Sequence, residues 1–427
     1  MSTSRTSPGR IILRDVRVFD GVAERTLDNA DVLLEGGRVI AVSTSPVARD
    51  QSDDVLEIQG RGRVLMPGLS DAHVHVMGNA NGMNDFLQAA TGRLYGNTIA
   101  EAGSMLQRGF TTVRDMGGDT APIKALIDEG RFPGPRIFPS QAMISQTSGH
   151  ADFSFVYDVP EEFGGRPSRM EDLHFTRVAD GVPRVLTAVR EQLRQGASQI
   201  KLTLGGGAAS MYDPLSTLQY TTDEIRAAVE AASDYGTYVA THVYTPAGIA
   251  RALDAGVRSI EHGHLADEET VRRIADADAW LSIQPFAEDD HHYPDPIRAA
   301  KNAEICQGTA QVYGWARDHG VNTAWGTDLL LEPQAAARQS VMAARLGEFY
   351  SNVEALRMLT SGNAALCEAA GERNTYRAAK LGVIAEGAWA DVLLVEKDPL
   401  ADLSVIADPE TNFTLIIKGG EVVKNAL

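Results

Sequence analysis

The sequence predicts an α/β protein: a (β/α)8 TIM barrel accompanied by a small composite β-sandwich domain built from both ends of the chain. Three observations lead to this prediction. The chain has 427 residues, enough for a barrel of roughly 250 residues together with a smaller domain. Both ends are rich in short strand-like segments, and the long middle alternates strand-like with helical segments.

The two ends of the chain share a pattern of short strands. The first part contains IILRDVRVFDG, ADVLLEGGRVIAVS and VLEIQGRGRVLMPG, in which apolar and polar residues alternate and glycines mark the turns. The last part contains WADVLLVEKDP and FTLIIKGGEVVKN, which have the same character. Strand-rich ends that flank a different middle are expected to pair in space, so residues 1–66 and 381–427 are assigned to one β-sandwich domain.

Residues 67–380 are predicted to form the barrel. Short apolar runs such as TTVRDMG, PRIFPS, YVATHVY and NTAWGTD alternate there with amphipathic segments such as TDEIRAAVEAASDYG. That segment ends in glycine, the residue that commonly follows the last turn of a helix. A strand followed by a helix, repeated about eight times, is typical of a (β/α)8 barrel.

The composition excludes several classes of partner. Lys and Arg total 39 and Asp and Glu total 57, which gives a net charge of −18. Nucleic acids and anionic membrane surfaces would be repelled, so neither is expected as a partner. No apolar run approaches the roughly 20 residues of a membrane span, no signal-peptide pattern is present, and a cytoplasmic protein is expected. Cys306 and Cys367 have no neighbours at metal-ligand spacing and are expected to be structural or incidental.

Residues able to bind metal stand at the carboxyl ends of several predicted strands. His73 and His75 alternate along one strand, so both rings project to one side and can reach one metal. Lys201 interrupts an otherwise apolar strand, where a buried ammonium needs a partner or a modification. Three further strands end in possible ligands: His242, His262 and Asp328. Because a barrel gathers the carboxyl ends of its strands at one face, these residues are predicted to form one metal site.

These segments resemble a known superfamily. PGLSDAHVH, the lysine strand, THVYTP, SIEHG and GTD are similar to the amidohydrolase superfamily, and more narrowly to its imidazolonepropionase-like and Xaa-Pro dipeptidase-like branch. That branch includes carboxypeptidase-type enzymes and amidases that degrade ochratoxin. The resemblance covers nearly the whole chain, including the return segment GVIAEGAWADVLLVEKDP, and implies a barrel that carries a binuclear zinc site.

The resemblance implies a role for each strand-end residue. The more buried ion would be bound by His73, His75 and Asp328, and the second ion would be bound by His242 and His262. Lys201 would be carboxylated and would bridge both ions, since a free ammonium would be repelled by two divalent cations and a carbamate is anionic. Zinc is the expected metal, although Mn²⁺ and Co²⁺ accept the same ligands.

The same resemblance implies a mechanism with Asp328 and Lys201 as catalytic residues. The two ions would share a hydroxide that attacks the amide carbonyl, and Asp328 would pass its proton to the leaving amine. His150 in SQTSGHAD and Tyr244 in HVYTP look like the residues that the dipeptidase-like branch associates with the substrate carboxylate. Both are suitable donors to a carboxylate, while a loop-capping histidine and a structural tyrosine remain the alternatives.

The predicted function is hydrolysis of the amide bond in a small N-acyl amino acid or dipeptide with a free carboxylate, a description that ochratoxin A fits. The alternative is a mononuclear cyclic-amide hydrolase of the imidazolonepropionase type, which does not need Lys201. A barrel that serves only as an interaction scaffold would be expected to lack a ligand, and this chain keeps all of them. The resemblance also implies a homo-oligomer, for example an octamer.

Several residues near these motifs have open roles. His264 competes with His262 as a ligand, although the pattern EHG favours His262. His291 and His292 lie in a predicted loop beyond the seventh strand, where they either contact substrate or belong to an exposed polar lid. No GK[ST] follows the glycines of residues 205–207, so a phosphate-binding loop is excluded. Their position after Lys201 indicates a mobile active-site loop instead.

Overall fold

The computed structural model describes residues 9–48, 54–210 and 212–427. The strands are β1 (Arg10–Val18), β2 (Leu27–Glu35), β3 (Arg38–Ser43), β4 (Val55–Gln59), β5 (Val64–Pro67), β6 (Leu69–Val74), β7 (Phe110–Asp115), β8 (Arg136–Pro139), β9 (Met143–Ser145), β10 (Thr176–Val178), β11 (Ile200–Thr203), β12 (Val239–Val243), β13 (Ser259–His262), β14 (Trp280–Ile283), β15 (Asn322–Trp325), β16 (Val392–Val395), β17 (Phe413–Lys418) and β18 (Glu421–Asn425). The α-helices are α1 (Val76–Ala80), α2 (Met83–Gln88), α3 (Thr91–Gln107), α4 (Ala121–Asp128), α5 (Arg169–Asp172), α6 (Val182–Arg194), α7 (Thr222–Ser233), α8 (Pro246–Asp254), α9 (Glu268–Asp276), α10 (Pro296–Asp318), α11 (Gln339–Ala344), α12 (Asn352–Arg357), α13 (Asn363–Glu368) and α14 (Pro409–Asn412). The prediction that the chain has no signal peptide concerns in part residues 1–8, and these lie outside the described residues.

Strands from the two ends of the chain pair in one eight-stranded sheet, as their common pattern predicts. Its order is β18-β17-β16-β5-β1-β2-β3, and β4 also pairs with β1. The ends meet where β5 runs antiparallel to β16, with Met66 opposite Leu393. A predicted sandwich would contain two separately bonded sheets. Here β1 pairs in succession with β4 and with β5, so the strands form one branched sheet that encloses an apolar core of its own.

The parallel strands of the middle lie in two sheets. One has the order β6-β7-β8 and the other the order β10-β9-β11-β12-β13-β14-β15. At the junction of β6 with β15, the Asn363 amide donates to the carbonyls of Ser70 and Trp325, at 2.7 and 2.8 Å. At the other junction, between β8 and the segment before β11, Ser198 N donates to Pro139 O at 2.7 Å. The predicted parallel strands are therefore present, although ladder hydrogen bonds do not join the two sheets into one closed barrel among the described residues.

Alternation along these strands separates the core from the site. In β11, Ile200 and Leu202 belong to the main apolar core, whereas Lys201 and Thr203 line a cavity on the opposite side. The helices between the strands have the expected termini. The Thr221 hydroxyl, for example, accepts from Glu224 N at the start of α7. The strands thereby direct polar side chains towards the cavity and apolar side chains towards the surrounding helices.

Helix α10 is long but polar. Its 23 residues include several charged side chains, and no helix among the described residues is both long and apolar enough to cross a membrane. Cys306 lies in this helix and Cys367 lies in α13, and both are free thiols.

Candidate active site

The predicted ligands line one cavity at the carboxyl ends of the parallel strands. This cavity has a volume of about 430 Å³, and its lining includes all of the residues that we call the ligand cluster: His73, His75, Lys201, His242, His262 and Asp328. The ring centroids of neighbouring imidazoles lie 4.5 to 5.5 Å apart. The fold therefore brings together groups that are separated by up to 255 positions in the sequence (328 minus 73).

His73 and His75 direct one ring nitrogen each at Asp328. His73 Nε2 lies 3.3 Å and His75 Nε2 lies 3.2 Å from Asp328 Oδ1. On the far side of each ring, His73 Nδ1 contacts Glu261 Oε2 at 2.8 Å and His75 Nδ1 contacts Gly117 O at 3.3 Å. Since both outer partners are acceptors, each Nδ1 carries the proton and each Nε2 presents a lone pair towards the carboxylate.

The other two imidazoles of the cluster are arranged in the same way. His262 Nδ1 contacts Gln284 Oε1 at 2.8 Å, and His242 Nε2 contacts Gly206 O at 3.2 Å. The remaining nitrogens, His262 Nε2 and His242 Nδ1, are therefore the unprotonated ones. Burial lowers the pKa of His262 to about 3, and burial together with the nearby His150 lowers the pKa of His242 well below its usual value. Neutral imidazoles with fixed tautomers are the form that binds metal.

Asp328 completes the metal-binding geometry. Ring nitrogens of His73 and His262 and a carboxylate oxygen of Asp328 all lie within 4.8 Å of one another. Lone pairs and a carboxylate that face each other repel unless a cation lies between them. The donor set thus suits a divalent metal ion.

The backbone at two of these residues is unusual. His262 has a φ of 77° and Asp328 has a φ of 49°, both in the left-handed region that residues with a side chain seldom adopt. Asp328 N donates to His73 O at 2.8 Å and fixes the turn at the end of β15. Such strain persists where surrounding contacts hold it, and it is common at functional sites.

Lys201 lies inside the cluster, as its position in an apolar strand predicts. It is 2% exposed, and its Nζ lies 3.5 Å from His73 Nε2. Burial lowers the pKa of Lys201 to about 8, against the opposing effects of Glu261 and Asp328. The neutral amine, which is the form that reacts with carbon dioxide, is therefore accessible near neutral pH.

Sequence reasoning did not find the groups that hold His73 in place. Glu261, beside His262 in the sequence, is fully buried and binds the Arg114 guanidinium through both carboxylate oxygens, each at 2.7 Å. Arg114 is also fully buried, and its Nε donates to Ala72 O at 2.6 Å. An arginine inside the apolar run TTVRDMG is the same kind of signal as Lys201, and it could have indicated this pair.

His150 and Tyr244 flank the cluster on one side. The His150 ring is stacked on His242 with centroids 3.9 Å apart, and its Nδ1 lies 2.8 Å from Ser210 Oγ. The Tyr244 ring packs 4.9 Å from His242. Burial raises the pKa of Tyr244 well above its usual value, so its hydroxyl stays protonated and can donate. No described residue hydrogen-bonds this hydroxyl, which leaves it available to a ligand.

The competing histidines lie farther from the cluster. His264 stacks on Phe286, its Nε2 contacts Gln284 O at 2.9 Å, and it does not line the cavity. His291 is half-buried and His292 is exposed, and both line the mouth of the cavity in the loop after β14, as predicted. The geometry thus favours His262 over His264 as a ligand.

The glycine segment after Lys201 is tied down by α10. Lys301 Nζ donates to Gly207 O at 3.1 Å, to Ser210 O at 3.2 Å and to Asp213 O at 2.7 Å. A side chain at position 207 would collide with His150, because a Cβ there would lie 2.1 Å from its Cε1 atom. Glycine at 207 is therefore required for His150 to reach the cluster.

Apolar and polar side chains both line the cavity. The apolar wall consists of large side chains from α2, β9, α5 and the segments after β9 and β15: Met83, Leu87, Met143, Phe153, Phe155, Met170, Leu330 and Leu331. The polar rim consists of side chains from the segments after β11 and β14 and from the first turn of α10: Ser210, His291, His292, Tyr293 and Arg298. A ligand at the cluster would therefore find both kinds of group in one cavity.

An α/β fold whose parallel strands end in imidazole, carboxylate and amine groups around one cavity is typical of metal-dependent hydrolases. The sequence profile of the amidohydrolase family matches residues 64–423. The chain belongs to the amidohydrolase family, as predicted, and is a hydrolase that acts on amide bonds. Members of this family generally use divalent metals, and its fold is a TIM barrel with an additional domain.

Individual relatives agree with this family. The ochratoxinase of Aspergillus niger is 31% identical over 378 residues, which cover 84% of this chain and 76% of the relative. The imidazolonepropionase of Thermoplasma volcanium is 22% identical over 395 residues, 88% of this chain and 86% of the relative. A crystal structure of a prolidase complexed with N-methylphosphonate-L-proline has a TM-score of 0.88 and 34% identity, and the match covers 97% of this chain and 100% of that chain.

Proposed function

We propose that this protein hydrolyses the amide bond of small N-acyl amino acids or dipeptides that carry a free carboxylate. One observation carries the proposal: the lone pairs of the ligand cluster converge in a cavity that is also lined by His150 and Tyr244, which are suitable carboxylate donors, and by large apolar side chains. An apolar acyl group and a C-terminal amino acid would then lie on opposite sides of the reacting carbonyl.

The proposed cofactor is a pair of divalent ions, zinc in the first instance, with a carboxylated Lys201 as the bridging ligand. His73, His75 and Asp328 would hold one ion, and His242 and His262 would hold the other. When bound, the metal centre would polarise the amide carbonyl and lower the pKa of the attacking water. The low pKa of Lys201 supports its carboxylation, because only the neutral amine forms a carbamate.

Asp328 is the proposed proton shuttle. Its side chain is 18% exposed, whereas those of His73 and His75 are 1% and 3% exposed. It therefore faces both the ligands and the open cavity. From there Asp328 takes a proton from the attacking water and delivers it to the leaving nitrogen, which leaves as an amine.

The substrate carboxylate is proposed to bind His150 and Tyr244. The rings of His150 and Tyr244 both pack against His242, with centroids 3.9 and 4.9 Å from its ring centroid. Two relatives support this class of substrate, since one is an ochratoxinase and another is a prolidase complexed with N-methylphosphonate-L-proline, a proline derivative. Ochratoxin A, an N-acyl phenylalanine, is a candidate because its aromatic acyl group would suit the apolar wall.

Other properties expected from the sequence are part of the same proposal. The closed (β/α)8 barrel would span residues 67–380, and the domain that contains the branched end sheet would combine residues 1–66 and 381–427. We further propose a cytoplasmic homo-oligomer, with an octamer as the first state to test. Neither nucleic acid nor a membrane is proposed as a partner, because the chain carries a net charge of −18.

The most direct test is a hydrolysis screen over N-acyl amino acids varied at the C-terminal residue, with metal content measured on the same sample. Two ions per chain and release of the free amino acid are expected. Removal of the metal by a chelator should abolish hydrolysis, and unchanged hydrolysis would contradict the proposed mechanism. One tightly bound ion per chain would instead favour the alternative of a cyclic-amide hydrolase. The similarity to an imidazolonepropionase is the reason to test this alternative.

The substitution Tyr244→Phe tests the carboxylate site. Loss of one hydrogen bond to a charged group should raise KM by about 10-fold or more, with a smaller change in kcat. Tyr235→Phe is the matched control, because Tyr235 is 48% exposed and does not line the cavity. An unaltered KM for N-acyl amino acids in the Tyr244 variant would contradict the assignment.

A further inference from the structure

Arg298 is a positively charged residue of the cavity lining, and the mechanism proposed above gives it no role. It stands in the first turn of α10, is half-buried, and belongs to the polar rim. Its Nε donates to Ala208 O at 3.3 Å. The rest of the guanidinium, which offers four more N–H groups, faces the cavity side of the helix.

Among the described residues, no carboxylate forms an ion pair with Arg298. Two other arginines contact the loop between β14 and α10 and are paired there: Arg338 and Arg345 both bind the carboxylate of Asp290. In a chain with 57 acidic and 39 basic residues, a half-buried guanidinium without an acidic partner is unexpected. Its available donors are suited to an anion that enters the cavity.

The surroundings hold Arg298 in a fixed orientation. Its Cζ lies 4.7 Å from the centre of the Tyr293 ring, so the aromatic face supports the guanidinium. The loop that carries Tyr293 is anchored by Asp290, which is fully buried in its side chain and also accepts from Ala287 N at 2.7 Å. A guanidinium positioned in this way loses little conformational entropy when it binds a carboxylate.

Arg298 and His150 contact the same short segment, residues 207–210. Arg298 contacts Ala208, His150 lies against Gly207, and His150 Nδ1 contacts Ser210 Oγ at 2.8 Å. Lys301, one turn along α10, fixes this segment through the three carbonyls that it contacts. Residues 207–210 therefore set the spacing between Arg298 and His150.

We propose that Arg298 supplies the positive charge that binds the carboxylate of the substrate, beside His150 and Tyr244. This inference rests on the proposed function and specifies its substrate class: a free acid is selected over the corresponding amide or ester. A carboxylate that leaves water needs a compensating charge, and a tyrosine hydroxyl does not supply one. Arg298 is charged at every physiological pH, so it meets this need.

The test compares acid and amide forms of the same compound. Binding of N-acetyl-L-phenylalanine and of N-acetyl-L-phenylalaninamide is measured by calorimetry in the wild type, in Arg298→Gln and in Arg298→Lys. The wild type should prefer the acid by about 10- to 100-fold, as expected for a charge-assisted hydrogen bond. Arg298→Gln should abolish this preference, and Arg298→Lys should restore part of it. Arg317→Gln, at the exposed end of the same helix, is the control for loss of a positive charge.

Steady-state kinetics on the best substrate of the screen add a second readout. Arg298→Gln should raise KM for the acid by a similar factor and leave kcat nearly unchanged, and the amide form should be unaffected. An equal loss for acid and amide, or no acid preference in the wild type, would overturn the assignment. If no N-acyl amino acid is hydrolysed but the acid preference depends on Arg298, the proposed reaction is wrong and the carboxylate site stands.

Discussion

The ligand cluster and the polar rim line the same cavity but are built differently. In the cluster, each imidazole has one ring nitrogen fixed by a buried acceptor: Glu261, the Gly117 carbonyl, Gln284 or the Gly206 carbonyl. In the rim, His291 packs against the rings of Phe286 and Tyr293, and no hydrogen bond from its ring to another described residue is seen, while His292 is exposed. Strand ends hold the cluster, whereas loops and one helix turn hold the rim.

This difference separates two tasks. A reacting centre gains from ligands that do not reorganise, and hydrogen-bonded side chains at strand ends provide them. Selection of a substrate depends on groups that can vary without disturbing that centre, and loops allow such variation. We therefore expect substitutions in the cluster to lower kcat or metal content, and substitutions in the rim to change KM.

The substitution Asp328→Asn should have the largest effect of those that test the difference between the cluster and the rim. The amide would keep the shape of the side chain but would lose the charge and the ability to accept a proton, so kcat should fall by about 10²- to 10⁴-fold. Metal content of the purified variant should be measured in parallel with steady-state kinetics, because Asp328 is also a proposed ligand.

Glu332→Gln is the control for Asp328→Asn, since it removes another carboxylate that lines the cavity. Its kcat should stay close to that of the wild type. If the two variants lose kcat equally, Asp328 acts only through the general charge of the cavity.

A second prediction concerns the pair that orients His73. Glu261→Gln would leave the Arg114 guanidinium buried without its counter-charge, so the free energy of unfolding should fall by about 3–5 kcal/mol. Metal affinity should fall by about 10- to 100-fold, because the Nδ1–H of His73 would lose its carboxylate acceptor. Denaturant unfolding and metal titration measure the two effects.

The control for Glu261→Gln is a surface carboxylate. Glu269 pairs with Arg272 on an exposed face of α9, and Glu269→Gln should change stability by less than about 1 kcal/mol. Equal destabilisation in the two variants would mean that the buried pair has no special structural role.

The segments that form the parallel strands could be predicted from the sequence, together with the polar residues in them or at their carboxyl ends. Some of these strands are short apolar runs that end in a polar residue, as in VATH, or that contain one, as in IKL, and such local patterns need no knowledge of distant contacts. The predicted ligands follow from these positions, because parallel strands bring their carboxyl ends to one face. Lys201 is the clearest case, since a lysine within an apolar strand indicates a special environment.

What could not be predicted depends on contacts between distant segments. Arg114 meets Glu261 across 147 positions, and Arg298 meets Ala208 across 90 positions. The branched end sheet depends on β1, which pairs with two strands in succession, and periodicity does not determine the partners of a strand. Sequence patterns thus identified the chemical groups of the site but not the groups that position them.

The last and smallest prediction compares two histidines of one strand end. His262→Asn should lower metal content, because it removes a proposed ligand whose tautomer Gln284 fixes. His264→Asn should retain metal and stay within a few-fold of the wild-type kcat. His264 contacts the Gln284 carbonyl and the Phe286 ring, so its loss should cost about 1 kcal/mol of stability. Metal analysis and thermal unfolding of the two variants decide the matter. If His264→Asn loses as much metal as His262→Asn, His264 belongs to the ligand cluster.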